Sequence, residues 1–120
     1  MENLKKLFGL FFVFFILGCT QQTSIQEFGK TKEFFITAKN WEFVPNTITV
    51  DKGDRVVLKV KSIDIDHGLA IPDFNVNLAL VPGAEERVEF IADKTGIFTM
   101  FCSVYCGTGH SEMQGKIIVN

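Results

Sequence analysis

Alternating apolar and polar positions run through the chain from Glu33 onward and predict β-strands. In RVVLKVK the apolar Val56, Leu58 and Val60 would share one face, with lysines on the other. ERVEFIA alternates in the same way. A repeat of two residues is the side-chain period of a strand. The stretches EFFITA, TITV, GIFTMF and GKIIV are rich in β-forming residues and predict further strands.

Turn-forming segments separate these predicted strands. DKGD, IPDFN, VPGAE and DKTG carry the glycine, proline, asparagine and aspartate that tight turns favour. The sequence shows no long amphipathic helix, no repeat and no low-complexity tract. Short strands at this spacing over residues 33–120 predict an all-β fold, an antiparallel Greek-key sandwich.

The first 18 residues have the pattern of an export signal. Lys5 and Lys6 precede an apolar run, Leu7–Leu17. A helix of that length spans roughly 16 Å, about half of a hydrocarbon core near 30 Å. The run ends in ILGC, which resembles a bacterial lipobox and implies cleavage before Cys19 and lipidation of its thiol. The alternative is a short uncleaved anchor helix. Both place the remaining chain at the outer, oxidising face of a membrane.

Three segments follow from these patterns: a lipoprotein-type signal over residues 1–18, a polar tether over 19–32 and a β-domain over 33–120. The formal net charge of the whole chain is -2. Nucleic-acid binding usually requires a strongly basic face. We therefore exclude nucleic acid as a partner and expect attachment to a membrane through the N-terminus.

Four side chains that bind transition metals are concentrated near the C-terminus. Cys102, Cys106, His110 and Met113 are separated by three, three and two residues and lie between the predicted strands GIFTMF and GKIIV. His67 follows the predicted strand RVVLKVK, in a segment expected to be a loop at the same end of the sandwich. The five side chains can then converge.

Copper fits this set better than zinc or an iron–sulfur cluster. Structural zinc sites are normally closed by four Cys or His side chains, and methionine is not a usual zinc ligand. An iron–sulfur cluster calls for four cysteines or for paired Cys and His. Methionine beside His and Cys is typical of copper electron-transfer sites.

The residues alone leave the number of copper ions open. His67, Cys106, His110 and Met113 make a plausible mononuclear set, in which Cys102 is surplus. Alternatively, both thiolates bridge two ions, each of which takes one imidazole. A third possibility is a disulfide between the two cysteines, which the compartment allows but which leaves the other side chains unexplained.

The stretch CSVYCGTGHSEMQGKIIV resembles the copper A motif of cytochrome c oxidase subunit II, C-x-x-x-C-G-x-x-H-x-x-M. DIDHGLAIPDFNVN and VPGAEERVEFIADKTGIFTMFC are similar to upstream segments of the same family. The resemblance implies a cupredoxin-like Greek-key sandwich or barrel with a binuclear copper centre. The residues that it implies as metal ligands are His67, Cys102, Val104, Cys106, His110 and Met113.

By this resemblance Cys102 and Cys106 bridge the two ions, each histidine binds one ion, and the axial ligands are Met113 and the carbonyl of Val104. Many members of the family have glutamate where this chain has Val104. Any residue supplies a carbonyl, so the implied copper site is retained. A role for the glutamate side chain, such as binding a second metal, does not carry over.

The resemblance implies an electron-transfer protein that accepts electrons from cytochrome c or a similar small donor and passes them to a heme–copper oxidase. Subunit II usually begins with transmembrane helices, whereas this chain begins with the lipobox-like signal. Two alternatives therefore stay open: a lipoprotein that delivers copper to an oxidase, and a mononuclear blue-copper carrier. No residue pattern predicts catalysis by the domain alone.

Other residues near the predicted site have two interpretations each. Trp41 either helps electrons to enter, as aromatic residues do in that family, or packs at an edge. Gly107 and Gly109 are expected to form tight turns in the loop. Three aspartates near His67 either attract a basic donor or form a solvated acidic loop; they are Asp64, Asp66 and Asp73.

Overall fold

The computed structural model describes Gly18 and residues 29–120. The rest of the predicted signal, Cys19 and most of the predicted tether lie outside these residues. The described part contains nine strands and two short 3₁₀ turns, and no α-helix. No helix in this part is long and apolar enough to cross a membrane.

The strands follow the predicted order, with three additions, β2, β5 and β6, which were not predicted. β1 begins two residues before the predicted start of the domain, inside the predicted tether. The bounds are β1 (Thr31–Lys39), β2 (Glu42–Val44), β3 (Thr47–Val50), β4 (Arg55–Ser62), β5 (His67–Ile71), β6 (Val76–Leu80), β7 (Glu85–Ile91), β8 (Gly96–Phe101) and β9 (Gln114–Val119).

Two sheets form the sandwich, and this confirms the predicted all-β fold. One sheet has the order β2-β1-β4-β7 and the other the order β3-β9-β8-β5-β6. Two pairs, β1 with β4 and β3 with β9, are parallel, and the other five pairs are antiparallel. The purely antiparallel prediction was wrong for these two pairs. Between β1 and β4 the chain crosses to the other sheet as β3, so β4 returns in the direction of β1.

The core lies between the two sheets. Val56, Leu58 and Val60 of β4 are fully buried, as the alternation predicts, and Met100 of β8 is fully buried against them in the same cluster. Every residue of β5 is buried. Burying one such aliphatic side chain contributes about 1.5–3 kcal/mol, so the core holds the two sheets in a fixed relation.

The two ends of the sandwich differ. At one end, which we call the ligand end, β8 finishes at Phe101 and β5 begins at His67. At the opposite end, the entry end, the chain enters β1 after Gly29, whose N–H donates to the carbonyl of Gly53 over 3.0 Å. A Cβ on Gly29 would lie 2.6 Å from the backbone of Gly53, so only glycine fits this close contact.

An ion pair also holds the entry end. Lys32 Nζ lies 2.7 Å from Asp54 Oδ2 and 3.1 Å from Asp51 Oδ2. Asp54 is buried, and its carboxylate also accepts the backbone N–H of Asp51. The start of β1 is thereby fixed to the turn between β3 and β4.

Candidate metal centre

The loop between β8 and β9, residues 102–113, carries most of the predicted ligands. The two strands pair directly before and after it, with Phe101 opposite Gln114. The N–H of Cys102 donates to the carbonyl of Met113 over 3.0 Å. The ends of the loop are thus held together, and the residues between them fold back over the ligand end.

A short 3₁₀ turn, His110–Glu112, positions His110 within this loop. The N–H of His110 donates to the carbonyl of Gly107 over 3.1 Å. Gly107 has a φ of 113°, in the left-handed region that favours glycine. The tight turn predicted at Gly107 is therefore present, and it aims the imidazole of His110 at the cysteines.

His67 is the first residue of β5, and the prediction that it lies in a loop was wrong. It stands opposite Leu80 of β6 and is completely buried. The loop between β8 and β9, which we call the ligand loop, passes beside the next residue, Gly68. A Cβ on Gly68 would lie 2.2 Å from Ser103 Oγ and 2.9 Å from the Val104 nitrogen. Gly68 thus admits the loop next to His67. This role of Gly68 is not visible in the sequence, because only the contact with the loop reveals it.

The two thiols lie at the centre of the arrangement. Cys102 Sγ and Cys106 Sγ are 3.5 Å apart, and both cysteines are free and buried. The disulfide alternative is therefore not the state of this structure. The ligand atoms of Cys102, Cys106 and His67 all lie within 4.8 Å of one another, so these three could hold a metal ion.

Each thiol has its own imidazole and its own weaker ligand atom. Cys102 Sγ lies 3.9 Å from His67 Nδ1 and 3.1 Å from the carbonyl oxygen of Val104. We call these groups the Cys102 half. Cys106 Sγ lies 3.6 Å from His110 Nδ1 and 3.9 Å from Met113 Sδ; these form the Cys106 half. The structure thus brings all six predicted ligand residues together.

Burial keeps the sulfur atoms away from water. Both cysteines are nearly inaccessible and Met113 is fully buried. Burial, and then the hydrogen bond and charge of the neighbouring Cys102 thiol, raise the pKa of Cys106 to about 11. A metal ion must therefore displace a proton that the metal-free thiol holds firmly.

Trp41 covers one side of the loop. Its indole N–H donates to the carbonyl of Cys106 over 3.0 Å, and 40% of the residue remains exposed. A Cβ on Gly109 would lie 2.3 Å from the indole ring. Gly109 lies in the predicted tight turn, at residues 107–110. Its lack of a side chain also admits the indole ring of Trp41. Trp41 packs at the edge of the site, and its role in electron entry stays a prediction.

The three aspartates do not form one cluster beside His67. Asp64 Oδ1 lies 2.7 Å from His67 Nε2. Asp66 is exposed and has no side-chain hydrogen bond among residues 29–120. Asp73 lies in a 3₁₀ turn after Ile71, where β5 ends. Because β5 carries the chain away from His67, the prediction that Asp73 lies near this ligand was wrong.

The chain is similar to known proteins that share this all-β fold. Residues 9–119 match the model of the cupredoxin-like domain. Cytochrome c oxidase subunit 2 of Thermus thermophilus is 33% identical over 85 residues, which cover 71% of this chain and 63% of that protein. A second Thermus thermophilus subunit 2 is covered over 51% of its length. The chain thus spans less than two thirds of these relatives.

Two solved structures share the fold. A chain of a heme–copper terminal oxidase dimer, determined by cryo-EM, superposes with a TM-score of 0.73 at 33% identity, over 80% of this chain and 68% of that one. The periplasmic domain of subunit II of cytochrome oxidase from Bradyrhizobium japonicum superposes with a TM-score of 0.68 at 25% identity, over 73% of this chain and 83% of that one.

Proposed function

The chain belongs to the cupredoxin-like domain family, and on that premise we propose that it is an electron-transfer protein with a binuclear copper centre. It would take electrons from a cytochrome c or a similar small donor and pass them to a heme–copper oxidase. The whole relatives' activity is not implied, because the chain spans only part of their length.

One observation carries the proposal: the two thiols lie side by side, and a different imidazole flanks each of them. His110 Nδ1 lies 3.6 Å from Cys106 Sγ, but His110 is not part of the group whose ligand atoms all lie within 4.8 Å of one another. The set is therefore elongated along the line between the two histidines. Such a set favours two adjacent ions that share both thiolates over one ion at its centre.

The chemistry of the ligands supports copper. Thiolates, imidazoles and a thioether are the ligands of copper electron-transfer sites, and methionine argues against zinc. When bound, the copper pair would accept and release one electron. Packing of the core would hold the ligand atoms of the Cys102 half and of the Cys106 half in place. The burial of both cysteine sulfurs would keep water from them.

The surface at the ligand end supports docking of a protein donor. Five exposed apolar residues, which we call the apolar rim, lie in the connections between strands at this end: Trp41, Ile63, Ile65, Val81 and Tyr105. Exposed apolar patches of this kind mark interaction sites. The Tyr105 ring lies 5.5 Å from the ring of His110. Since Asp64 bonds His67 and Asp73 lies elsewhere, we propose that apolar contact, more than charge attraction, holds the donor.

We also propose that the domain is extracytoplasmic and held to a membrane by lipid on Cys19. The signal-like residues before Cys19 and the ILGC sequence support this, as does the periplasmic location named for the Bradyrhizobium domain. Two or more acyl chains anchor a protein stably where one does not. Mass spectrometry of the membrane-extracted chain tests the lipid; an N-terminus that still begins at Met1 would contradict it.

Copper stoichiometry with electron paramagnetic resonance tests the central proposal. We expect two copper ions per chain and a seven-line hyperfine pattern in the half-reduced protein, because one electron is shared between two nuclei. Cys102→Ser should remove the shared pattern, whereas Ser103→Ala, a neighbouring change outside the ligand set, should keep it. One copper per chain with a four-line pattern would favour the mononuclear alternative.

A copper-delivery role makes a different prediction. A delivery protein releases its metal to an acceptor, whereas a relay exchanges electrons and keeps its metal. Because both thiols serve both ions in our proposal, neither ion can leave without disrupting the other. We therefore expect full copper content after repeated reduction and after mixing with a metal-free oxidase domain. Loss of copper to that domain would support delivery.

A further inference from the structure

The two ring nitrogens of His67 face different partners. Nδ1 lies 3.9 Å from Cys102 Sγ, and Nε2 lies 2.7 Å from Asp64 Oδ1. A carboxylate only accepts hydrogen bonds, and a neutral imidazole carries one N–H. The proton of the neutral His67 ring therefore belongs on Nε2. This leaves the Nδ1 lone pair directed toward the thiols.

The carboxylate of Asp64 is itself held on both sides. Asp64 Oδ2 accepts the N–H of Asn40 and Oδ1 accepts the N–H of Ile65, each over 2.7 Å. Asp64 is thus a fixed acceptor whose position depends on the hairpin between β1 and β2.

The second histidine lacks such a partner. His110 Nδ1 faces Cys106 Sγ, and among residues 29–120 no carboxylate forms a hydrogen bond with the His110 ring. His110 is half-buried and belongs to the loop, whereas His67 is fully buried at the start of a strand. The two halves of the centre therefore differ in how firmly their histidines are oriented.

We propose that Asp64 is a positioning residue that holds His67 in its metal-binding tautomer, so that the Cys102 half is formed before any metal binds. The identity of the metal rests on the proposed function, but the tautomer does not. Outer partners of ligating histidines fix the tautomer and ring orientation, and their loss typically costs 10–100-fold in metal affinity. The first copper ion would then bind at the Cys102 half, and the His110 side would order around the second.

The tautomer can be measured without metal. In the full metal-free chain, long-range ¹H–¹⁵N NMR should show His67 protonated on Nε2 alone. Asp64→Ala removes the acceptor and should give a mixture of tautomers. Asp64→Asn keeps an acceptor oxygen without the charge and should give a smaller change. Asp66→Ala, an exposed aspartate two residues along, is the matched control and should behave as the wild type.

Metal affinity gives a second measurement. Titration with copper(I) against a competing chelator should show that Asp64→Ala weakens the first equivalent by about 10–100-fold, while Asp66→Ala leaves it unchanged. A wild-type ring protonated on Nδ1, or unchanged tautomer and affinity in Asp64→Ala, would overturn the proposal. If Asp64→Ala does not fold, the wild-type tautomer and the affinity of Asp64→Asn decide.

The two proposals fail separately. An Nε2-protonated His67 in a chain that binds one copper ion would support positioning by Asp64 and contradict the binuclear centre. Two copper ions bound by a chain in which His67 samples both tautomers would support the binuclear centre and contradict positioning by Asp64.

Discussion

The indole N–H of Trp41 donates a hydrogen bond to the carbonyl of Cys106, across the gap between the two sheets. Trp41 belongs to the hairpin between β1 and β2, and Cys106 to the loop between β8 and β9. These elements are far apart in sequence. The bond therefore ties the ligand loop to the opposite sheet at the point where the thiols lie.

Removal of this bond should loosen the ligand loop. Trp41→Phe keeps an aromatic ring but removes the donor, and a typical intramolecular hydrogen bond contributes about 1 kcal/mol. We expect the free energy of unfolding of the metal-free chain to fall by about that amount in urea titration. Phe35→Leu, an exposed aromatic change on the outer face of β1, is the control and should change stability less. An equal loss of unfolding free energy in Trp41→Phe and Phe35→Leu would contradict a specific role for the hydrogen bond.

Gly109→Ala should displace Trp41, because the added Cβ would lie 2.3 Å from the indole ring. The chain has one tryptophan, so its fluorescence reports this contact directly. We expect a red-shifted emission maximum and faster acrylamide quenching. Thr108→Ala, an exposed change in the same loop, should leave the spectrum unchanged. An unshifted spectrum in Gly109→Ala would mean that the loop yields without moving Trp41.

The thiol of Cys106 should resist alkylation until strongly alkaline pH. Burial is the main cause that raises its pKa to about 11, and only the thiolate reacts. In the reduced, metal-free chain, the rate of iodoacetamide labelling at Cys106, followed by peptide mass mapping, should still rise between pH 9 and pH 11. In the urea-unfolded chain the rate should level off nearer the ordinary thiol value, about 8.5. If labelling of Cys106 had the same pH profile in the folded and the unfolded chain, the raised pKa would be contradicted.

Acid should weaken the entry end. The hydrogen bond from Lys32, and then the one from the Asp51 N–H, lower the pKa of Asp54 below its usual value. The ion pair therefore contributes its full stabilisation above the ordinary aspartate pKa, about 3.9. This contribution is lost as the pH falls from there through the lower pKa that Asp54 has in the folded chain. Asp54→Asn should lower stability at neutral pH and reduce its loss below pH 4, by urea titration. Asp93→Asn, an exposed control, should keep the wild-type profile.

The apolar rim should govern the rate of reduction by a protein donor. We expect Tyr105→Ser to lower the second-order rate constant for reduction by a c-type cytochrome several-fold, because it removes an apolar contact beside Cys106. Ile97→Ser removes an exposed apolar side chain near the entry end and should leave the rate unchanged. Stopped-flow measurement at two salt concentrations completes the test; a rate that depends on salt but not on Tyr105 would contradict apolar docking.

Local patterns predicted six of the nine described strands but not β2, β5 or β6, and the miss at β5 had the largest consequence. The alternation of β4 and β7 and the turn residues between strands are visible in the sequence. All five residues of β5 are buried, so HGLAI shows no alternation, and the aspartates before it suggest a loop. Its start at His67 and its direction are set by pairing with β6 and β8. The misplacement of Asp73 follows from this one error.

Spacing and residue type singled out five of the candidate ligands, because metals select a small set of side chains. The sixth, the carbonyl of Val104, came from the family resemblance, since every residue carries a carbonyl. The roles of Gly68 and Asp64 were not predictable in this way. Gly68 matters because the backbone at Ser103 and Val104 leaves no room for a Cβ there. Asp64 matters because two backbone N–H groups and the His67 ring converge on its carboxylate. Both depend on distances between segments that the local sequence does not encode.

The chain enters the sandwich at the end opposite its predicted metal ligands, and this has a practical consequence for electrochemistry. Eight residues of β1 pair with β4 between Thr31 and Ala38, a length of about 26 Å at the rise of a strand. An electrode that captures the domain at the start of β1 would therefore face the entry end, with the proposed metal centre turned toward the electrolyte. A surface that captures the apolar rim would instead place the centre close to the conductor.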